Sequence, residues 1–238
     1  MIGGKHAGRG LEYRLQYQTA DPFPHIVLDD FLAPAQLTNI VESIRAIPHG
    51  LWLRDEHSQQ SNKFWLSDLN LMPPTVRDVC TFLNGHHMCA FLEDLSGISP
   101  IVPDPQLLGG GIHRVINGGR LGVHADFNIH PHTMQHRRIN ALLYLNKDWT
   151  PSERGWLELW SKGAERCVKR IEPRFNRAVI FNITDEALHG HPTVFAGVDR
   201  LSLATYYYTT DRPAHEKAPF HWASWRETPD DYNYNRLS

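Results

Sequence analysis

The sequence predicts a mainly β protein with supporting helices (an α+β arrangement), and three observations lead to that prediction. Seven short apolar runs, broken by Gly, Pro and Asn, follow residue 100, which is the pattern of a sandwich or barrel. Apolar residues at helical spacing precede that point. No internal repeat or long linker divides the 238 residues, so we expect a single domain over residues 1–238.

The expected domain has three parts. Residues of about 20–100 form a helical support, residues of about 101–210 form the β core, and residues 211–238 form an aromatic C-terminal extension. Trp222, Trp225, Tyr232 and Tyr234 make that extension too aromatic for a plain tail, so we expect it to pack on the outside of the core.

Composition narrows the class of protein. Hydrophobic residues make up 41% of the chain and charged residues 21%, as in an ordinary globular protein. A formal net charge of −2 gives no reason to expect nucleic acid or a membrane surface as a partner. The three cysteines contain no C-x-x-C pair, which argues against a disulfide framework and a thiolate zinc site. With no apolar leader at the N-terminus, the expected location is the cytoplasm.

The N-terminal part is predicted to begin with a frayed end at 1–18 that leads into an edge strand, followed by a short strand at 26–28. Thr75 and Asp78 are placed as a capping box for the second of three helices, and Gly97 follows the third. The predicted helices run from about Pro34 to just before Pro48, and over residues 76–83 and 88–95.

The predicted core strands cover residues 107–115, 119–127, 139–145, 156–160, 168–171, 178–182 and 201–209. The first of them contains three consecutive glycines, Gly109 to Gly111. Because no Gly-Lys-Ser/Thr follows, the run predicts a bulge or a close backbone approach rather than a phosphate loop.

The stretch Leu-Gly-Val-His-Ala-Asp-Phe, residues 121–127, carries the strongest chemical signal. His124 and Asp126 stand two residues apart in a strand-like segment, so their side chains project from the same face. A further histidine from a neighbouring strand would complete a two-His-one-carboxylate triad, which holds Fe(II) and leaves positions open. His189 and His191 are the candidates; counting forward from Phe181 favours His189, with His191 as the alternative.

Two further residues could bind an organic acid beside such a metal. Arg200 opens a strongly β-prone run, and its planar guanidinium could clamp a carboxylate bidentately if it points inside. Tyr144 could offer its hydroxyl to the same carboxylate.

The loop 128–136 contains three more histidines, His130, His132 and His136. They could be read as a zinc site, but no acidic or thiolate residue is spaced with them, and Pro131 interrupts the array. The favoured interpretation is a solvated loop at the rim of the pocket.

Taken together, these motifs resemble those of the Fe(II)- and 2-oxoglutarate-dependent dioxygenases, in particular the prolyl-4-hydroxylase-like branch. The similarity spans about residues 20–210 and keeps the motifs in order. They are His124-Ala125-Asp126, the segment 144–149, Gly155-Trp156-Leu157-Glu158-Leu159, the segment 171–177, His189-Gly190-His191-Pro192, and Arg200.

The resemblance implies a double-stranded β-helix, or jelly roll, with N-terminal helices on its major sheet. It implies Fe(II) held by His124, Asp126 and His189, which form the catalytic centre, with 2-oxoglutarate and dioxygen as cosubstrates. It also implies that Arg200 pairs with the distal carboxylate of 2-oxoglutarate and that Tyr144 hydrogen-bonds it. Arg114 stands where the prolyl hydroxylases commonly have a cosubstrate-binding tyrosine, ten residues before the first iron ligand.

The activity implied is hydroxylation of an unactivated C–H with release of succinate and carbon dioxide. The expected partner is a small-molecule or peptidyl substrate: a prolyl residue, an amino acid, a sugar or a natural product. Two alternatives stay open: a cupin-like metalloenzyme that does not use 2-oxoglutarate, and a non-catalytic, lectin-like jelly-roll module.

Overall fold

The computed structural model describes residues 2–197 and 199–229. Tyr232 and Tyr234, which the sequence analysis placed on the outside of the core, lie outside the described residues. Within the part of the chain that is described, no helix has the length and apolar character needed to cross a membrane.

The described residues form four α-helices, all in the N-terminal part. They are α1 (Gly10–Gln18), α2 (Ile40–Arg45), α3 (Pro74–Leu83) and α4 (His86–Ser96). The three predicted helices are present, and α4 ends at Gly97 in the left-handed conformation, as expected of a C-cap glycine.

Three N-terminal predictions are wrong in detail. Residues before 20 contain α1 rather than an edge strand; only Gly10 and Tyr17 of α1 are buried, so the segment lacks an apolar period. The helix expected from about Pro34 is divided into a 3-10 turn at Pro34–Leu37 and α2 from Ile40, because Asn39 takes a left-handed conformation (φ 57°). Thr75 does not cap α3; its hydroxyl instead donates to Oγ of Ser43.

Twelve strands are assigned within the described residues, and most of the predicted core strands are found among them with bounds that agree to within a few residues. The strands are β1 (His25–Leu28), β2 (Leu53–Arg54), β3 (Gln60–Leu66), β4 (Val102–Pro103), β5 (Gly111–Ala125), β6 (His136–Tyr144), β7 (Leu157–Trp160), β8 (Cys167–Ile171), β9 (Arg177–Asn182), β10 (His189–His191), β11 (Arg200–Thr209) and β12 (Ser224–Trp225). The differences are β5, which joins two predicted strands into one, and five strands besides β1 that were not among the predicted core strands: β2, β3, β4, β10 and β12.

The strands form one antiparallel sheet with the order β1-β9-β6-β11-β5-β10-β7-β8. The first half of β5 pairs with β11, and its second half pairs with β10. A single strand therefore belongs to both faces of the curled sheet, which is the jelly roll that the sequence predicted.

The helices cover the outer face of the major sheet. Along β11, Leu201, Leu203 and Tyr207 pack into one apolar cluster with residues of α2, α3 and α4. Arg200 and Tyr206, whose side chains alternate with these, line the space inside. The alternation on β11 thus separates the structural core from the functional cavity.

The close backbone approach predicted for the glycine run is present. Gly111 has φ +85°, and a Cβ there would collide with the carbonyl oxygen of Leu66 on the neighbouring strand β3. A Cβ on Gly110 would lie 2.7 Å from the carbonyl oxygen of Ala204. Glycine at these positions lets β5 begin in close contact with its neighbours.

Candidate metal centre and cosubstrate cavity

The residues expected to hold a metal come together at the junction of β5 and β10. His124 and His189 occupy paired positions of these two antiparallel strands, and their imidazole centroids are 4.5 Å apart. Asp126 follows β5 directly, two residues after His124. Their candidate ligand atoms all lie within 4.8 Å of one another.

The carboxylate of Asp126 faces both imidazoles. Its Oδ1 lies 3.5 Å from Nε2 of His124, and its Oδ2 lies 3.5 Å from Nε2 of His189. All three side chains are largely withdrawn from solvent: 6%, 7% and 13% of the side-chain surface is exposed for His124, His189 and Asp126. This is the spacing of three donors around a single site.

Backbone carbonyls fix the tautomers of both histidines. Nδ1 of His124 lies 2.9 Å from the carbonyl oxygen of Gly122, and Nδ1 of His189 lies 3.0 Å from that of Ala187. Because a carbonyl oxygen only accepts, each Nδ1 carries the proton, and each Nε2 keeps a lone pair directed toward Asp126. Two neutral imidazole nitrogens and one carboxylate oxygen are a donor set suited to Fe(II).

Asp126 is held by two residues of β6 that the sequence analysis missed. Asn140 donates from Nδ2 to Oδ2 of Asp126 at 2.7 Å, and Arg137 donates from Nη2 to the same oxygen at 3.1 Å. Arg137 also donates to the amide oxygen of Asn140 and stacks its guanidinium 3.5 Å from the ring centre of Tyr206. Asn140 and Tyr144 lie on the same face of β6, because side chains alternate along a strand. The sequence could have indicated Asn140 through this alternation.

The ionisation states of Asp126 and His189 suit the binding of a cation. Burial by itself would raise the pKa of Asp126, but the charge of Arg137 and the interactions with the histidines outweigh it and hold the pKa well below its ordinary value. Burial lowers the pKa of His189 to about 4, partly offset by the charge of Asp126. The carboxylate is therefore ionised and the imidazole neutral at pH 7.

The three residues open onto a cavity of about 290 Å³. Its walls come from β3, β5, β6, β9, β10 and β11 and from the segment 223–225. Besides the three candidate ligands, its lining includes Lys63, Trp65, His113, Arg137, Asn140, Leu142, Leu157, Phe181, His191, Arg200, Tyr206 and Trp225.

Arg200 points into this cavity, as the sequence analysis required. It is 5% exposed, donates from Nε to the carbonyl oxygen of Gly155 at 2.6 Å, and donates from Nη2 to the hydroxyl of Tyr144 at 3.2 Å. No carboxylate within the described ranges forms an ion pair with it. Tyr144 is buried and does not line the cavity. Its hydroxyl accepts the hydrogen bond from Arg200 and so orients the guanidinium.

Arg114 does not reach the cavity. Its Nε donates to Oδ2 of Asp199 at 2.6 Å, and its guanidinium lies over the ring of Trp52. The adjacent residues His113 and Val115 line the cavity instead. The expectation that Arg114 contacts a cosubstrate is therefore not supported by the structure.

His191 lines the cavity but is not part of the metal cluster. Its Nδ1 lies 3.1 Å from the carbonyl oxygen of Pro192, which leaves Nε2 as an acceptor. That Nε2 is buried and has no hydrogen-bond partner among the described residues. The geometry brings His189, not His191, to His124 and Asp126.

The histidine-rich loop is solvated only in part: His132, Thr133 and Met134 are exposed, but His130 is not. His130 is 2% exposed, and its Nε2 faces Oδ2 of Asp104 at 3.7 Å. Its Nδ1 accepts from the backbone N–H groups of His132 and Thr133. His130, His132 and His136 form no metal cluster in the described part of the chain, and they do not line the cavity.

Comparisons with known proteins agree with this geometry. Residues 110–208 match the family model described as the 2OG-Fe(II) oxygenase superfamily. No curated protein sequence matches the chain.

Several solved structures share the fold. A prolyl-4-hydroxylase from Pseudomonas putida has 17% identity and a TM-score of 0.58 over 84% of this chain and 98% of its own. A prolyl hydroxylase from Trichoplax adhaerens, in complex with a hypoxia-inducible-factor peptide, has 15% identity and a TM-score of 0.61 over 86% and 90%. HygX from Streptomyces hygroscopicus, with nickel, 2-oxoglutarate and hygromycin B bound, has 14% identity and a TM-score of 0.58 over 93% and 99%.

The β core of this chain, residues 110–208, thus matches the 2OG-Fe(II) oxygenase superfamily, and the chain shares its fold with solved prolyl hydroxylases. The protein is accordingly an enzyme that uses Fe(II) and 2-oxoglutarate, and the His-Asp-His cluster fits the iron. This assignment decides against the cupin-like and lectin-like alternatives.

Proposed function

We propose that this enzyme hydroxylates an unactivated C–H of a small-molecule or peptidyl substrate, with His124, Asp126 and His189 as the iron ligands. The observation that carries the proposal is the triad itself, whose ligand atoms lie within 4.8 Å of one another at the wall of a cavity that also contains Arg200. When bound, iron and 2-oxoglutarate supply the activation of dioxygen and the oxidation of the C–H bond.

The protein's own residues would prepare this chemistry. Each histidine presents a lone pair because a backbone carbonyl holds its other nitrogen. Asn140 and Arg137 fix the carboxylate of Asp126, so the ligand oxygen is in place before a metal arrives.

Arg200 would bind the distal carboxylate of 2-oxoglutarate. Its guanidinium is buried, lines the cavity, and is oriented by Gly155 and Tyr144 without being neutralised by a carboxylate in the described residues. A fixed, desolvated guanidinium is the preferred partner for a carboxylate. Tyr144 would act as a positioning residue, since its hydroxyl contacts Arg200.

Structural relatives support both classes of substrate. The Trichoplax adhaerens enzyme was solved with a peptide, and HygX was solved with hygromycin B, a small molecule.

For the location of the enzyme, we propose the cytoplasm. Cys80 and Cys89 are buried free thiols, which suits a reducing compartment.

Spectroscopy tests the proposal directly. Anaerobic protein with Fe(II) and 2-oxoglutarate is expected to develop a weak visible charge-transfer band, because the cosubstrate would chelate the metal in the open positions of the triad. Iron alone should give no such band, and added zinc should remove it. An identical spectrum with and without 2-oxoglutarate would contradict the proposal.

A further inference from the structure

The cavity contains a cation that the proposed metal and cosubstrate sites do not use. Lys63, on β3, lines the same cavity as Arg200. In the sheet, Lys63 lies opposite Val115 of β5, and Val115 lies opposite Arg200 of β11. Two strand spacings, about 10 Å, therefore separate the backbones of the two cationic residues.

The contacts of the two cations also direct them apart. Arg200 donates to Tyr144, which lies on β6, on the side of β11 away from β3. Lys63 donates from Nζ to Oε1 of Gln60 at 3.3 Å, and its Nζ lies 5.8 Å from the ring centre of Trp65. Both of these contacts are within β3, so Lys63 is held on the β3 side of the cavity.

Lys63 forms no close ion pair with a described residue, and the carboxylates of Asp126 and Asp55, which line the same cavity, act on it only from a distance. None of the ion pairs formed within residues 2–197 and 199–229 includes it, whereas the third cation of the cavity, Arg137, is paired with Asp126. Burial lowers the pKa of the Lys63 ammonium to about 8, and the charge of Asp126 partly offsets that effect. A partly buried ammonium without a carboxylate in direct contact is stabilised when a ligand supplies the anion.

Aromatic side chains line the cavity beside this ammonium and beside the metal centre. Trp225, on β12, stacks 4.8 Å from the imidazole of His124 and meets the ring of His57 at 5.0 Å. Trp65 follows Lys63 on the same face of β3, and all of these residues line the cavity. A ligand held by Lys63 would therefore lie against flat apolar walls within reach of the triad.

We propose that Lys63 binds a carboxylate of the primary substrate, and that Trp65 and Trp225 contact the apolar part of that substrate. The inference rests on the proposed function and narrows its substrate class to small organic acids with an apolar or aromatic body. Lys63 is then a specificity-determining residue. Its ammonium anchors the acid at the β3 side and leaves the remainder of the substrate toward His124.

The test uses benzoate and its neutral counterpart benzamide as probes. The full-length protein is loaded anaerobically with Mn(II) and saturating 2-oxoglutarate, and the Mn(II)-induced NMR relaxation of the probe's ring protons is followed in a titration. We expect the wild-type protein to bind benzoate at least about tenfold more tightly than benzamide, the scale of one charge-assisted hydrogen bond. Lys63→Met should bind the two probes equally, and Lys63→Arg should keep the preference.

Three outcomes would overturn the inference. Equal binding of both probes by the wild-type protein is one, and an unchanged preference in Lys63→Met is the second. The third is a tenfold or greater loss of 2-oxoglutarate affinity in Lys63→Met, which would assign Lys63 to the cosubstrate.

A failure of the proposed function is seen separately, before any probe is added. In that case the wild-type protein binds neither Mn(II) nor 2-oxoglutarate in the preliminary titration. Circular dichroism of each variant confirms that it is folded, and Lys63→Gln serves as a second charge-removing variant.

Discussion

Asn140 donates a hydrogen bond from its amide Nδ2 to Oδ2 of Asp126 at 2.7 Å, across the gap between β6 and the end of β5. Arg137 donates to the same oxygen and to Asn140. This network leaves the carboxylate little freedom to turn away from Nε2 of His124. The orientation of the proposed acidic iron ligand therefore depends on a neutral amide that binds no metal itself.

Removal of that amide should weaken metal binding. We expect Asn140→Ala to lower Fe(II) affinity by about 10–100-fold, the usual effect of removing a group that orients a metal ligand. Equilibrium dialysis with metal analysis under anaerobic conditions measures the change. Asn70→Ala, at an exposed position far from β6 in the chain, is the control and should bind iron as the wild-type protein does. Wild-type affinity in Asn140→Ala would show that Arg137 alone is sufficient to hold Asp126.

A second prediction concerns Arg200. Arg200→Ala should weaken 2-oxoglutarate binding by roughly 1.5–3 kcal/mol, because a charge-assisted pair with the distal carboxylate is lost. Iron affinity should change little, since Arg200 is not a ligand. Calorimetric titration of the anaerobic metal-loaded protein measures both quantities.

Arg114→Ala is the matched control for Arg200, because Arg114 is an arginine of the neighbouring strand that pairs with Asp199 outside the cavity. Its 2-oxoglutarate affinity should equal that of the wild-type protein. A large loss in Arg114→Ala and none in Arg200→Ala would reverse the proposed roles of the two residues.

The sequence was sufficient for the His124–Asp126 pair because the geometry of that pair is local. His124 and Asp126 share a face through the strand period, whatever the rest of the fold does. The role that the resemblance implied for Arg114 does not fit the structure. In an uninterrupted strand, a residue ten positions before His124 would share its face, but β5 turns at Gly118 (φ 79°) and its pairing with β3 shifts register. The face of β5 that lines the cavity is therefore formed by odd-numbered residues at His113 and Val115 but by an even-numbered residue at His124.

Lys63 escaped sequence analysis for a similar reason. β3 contains Asn62 at φ 48°, and its register against β5 shifts between Ser61 and Lys63. The irregularity removes the simple alternation by which a strand is recognised. β10 was missed because a strand of three residues, His189–His191, carries no period of its own. Only its pairing with β5 and β7 makes it a strand.

His189 and His191, both on β10, are expected to give different results when each is replaced by alanine. His189→Ala should abolish iron retention and the formation of succinate from 2-oxoglutarate, because one of three protein ligands is lost. His191→Ala should keep iron, because its imidazole is outside the ligand cluster; at most the coupling of substrate oxidation to succinate formation is lost. Metal analysis of both proteins, with succinate assayed in parallel, distinguishes them. Iron-free His191→Ala together with iron-loaded His189→Ala would show that His191 is the third ligand.

A prediction about stability concerns Gly111. Gly111→Ala should lower the free energy of unfolding by at least about 2 kcal/mol, because the new Cβ combines a left-handed backbone with a collision against Leu66. Gly50→Ala is the control, since nothing lies within 4 Å of a Cβ built there. Urea denaturation followed by tryptophan fluorescence measures both variants. Equal unfolding free energies would mean that β5 and β3 move apart without penalty.

The last prediction follows the charge of Lys63 with pH. Its pKa is lowered to about 8, first by burial, with Asp126 and Asp55 raising it and Arg200 lowering it again. A lysine is charged below its pKa, so the anion site is complete at lower pH and is lost as the pH rises through about 8. Carboxylates and guanidinium groups do not titrate in that range. Benzoate affinity should therefore fall about tenfold between pH 7 and pH 9.

Two controls make this pH profile specific to Lys63. Benzamide binding to the wild-type protein should not change with pH, since no charge is involved. Lys63→Arg should bind benzoate equally at pH 7 and pH 9, because a guanidinium stays protonated throughout. A tenfold fall that persists in Lys63→Arg would come from another group in the cavity, and the carboxylate would then have to be assigned to a different partner.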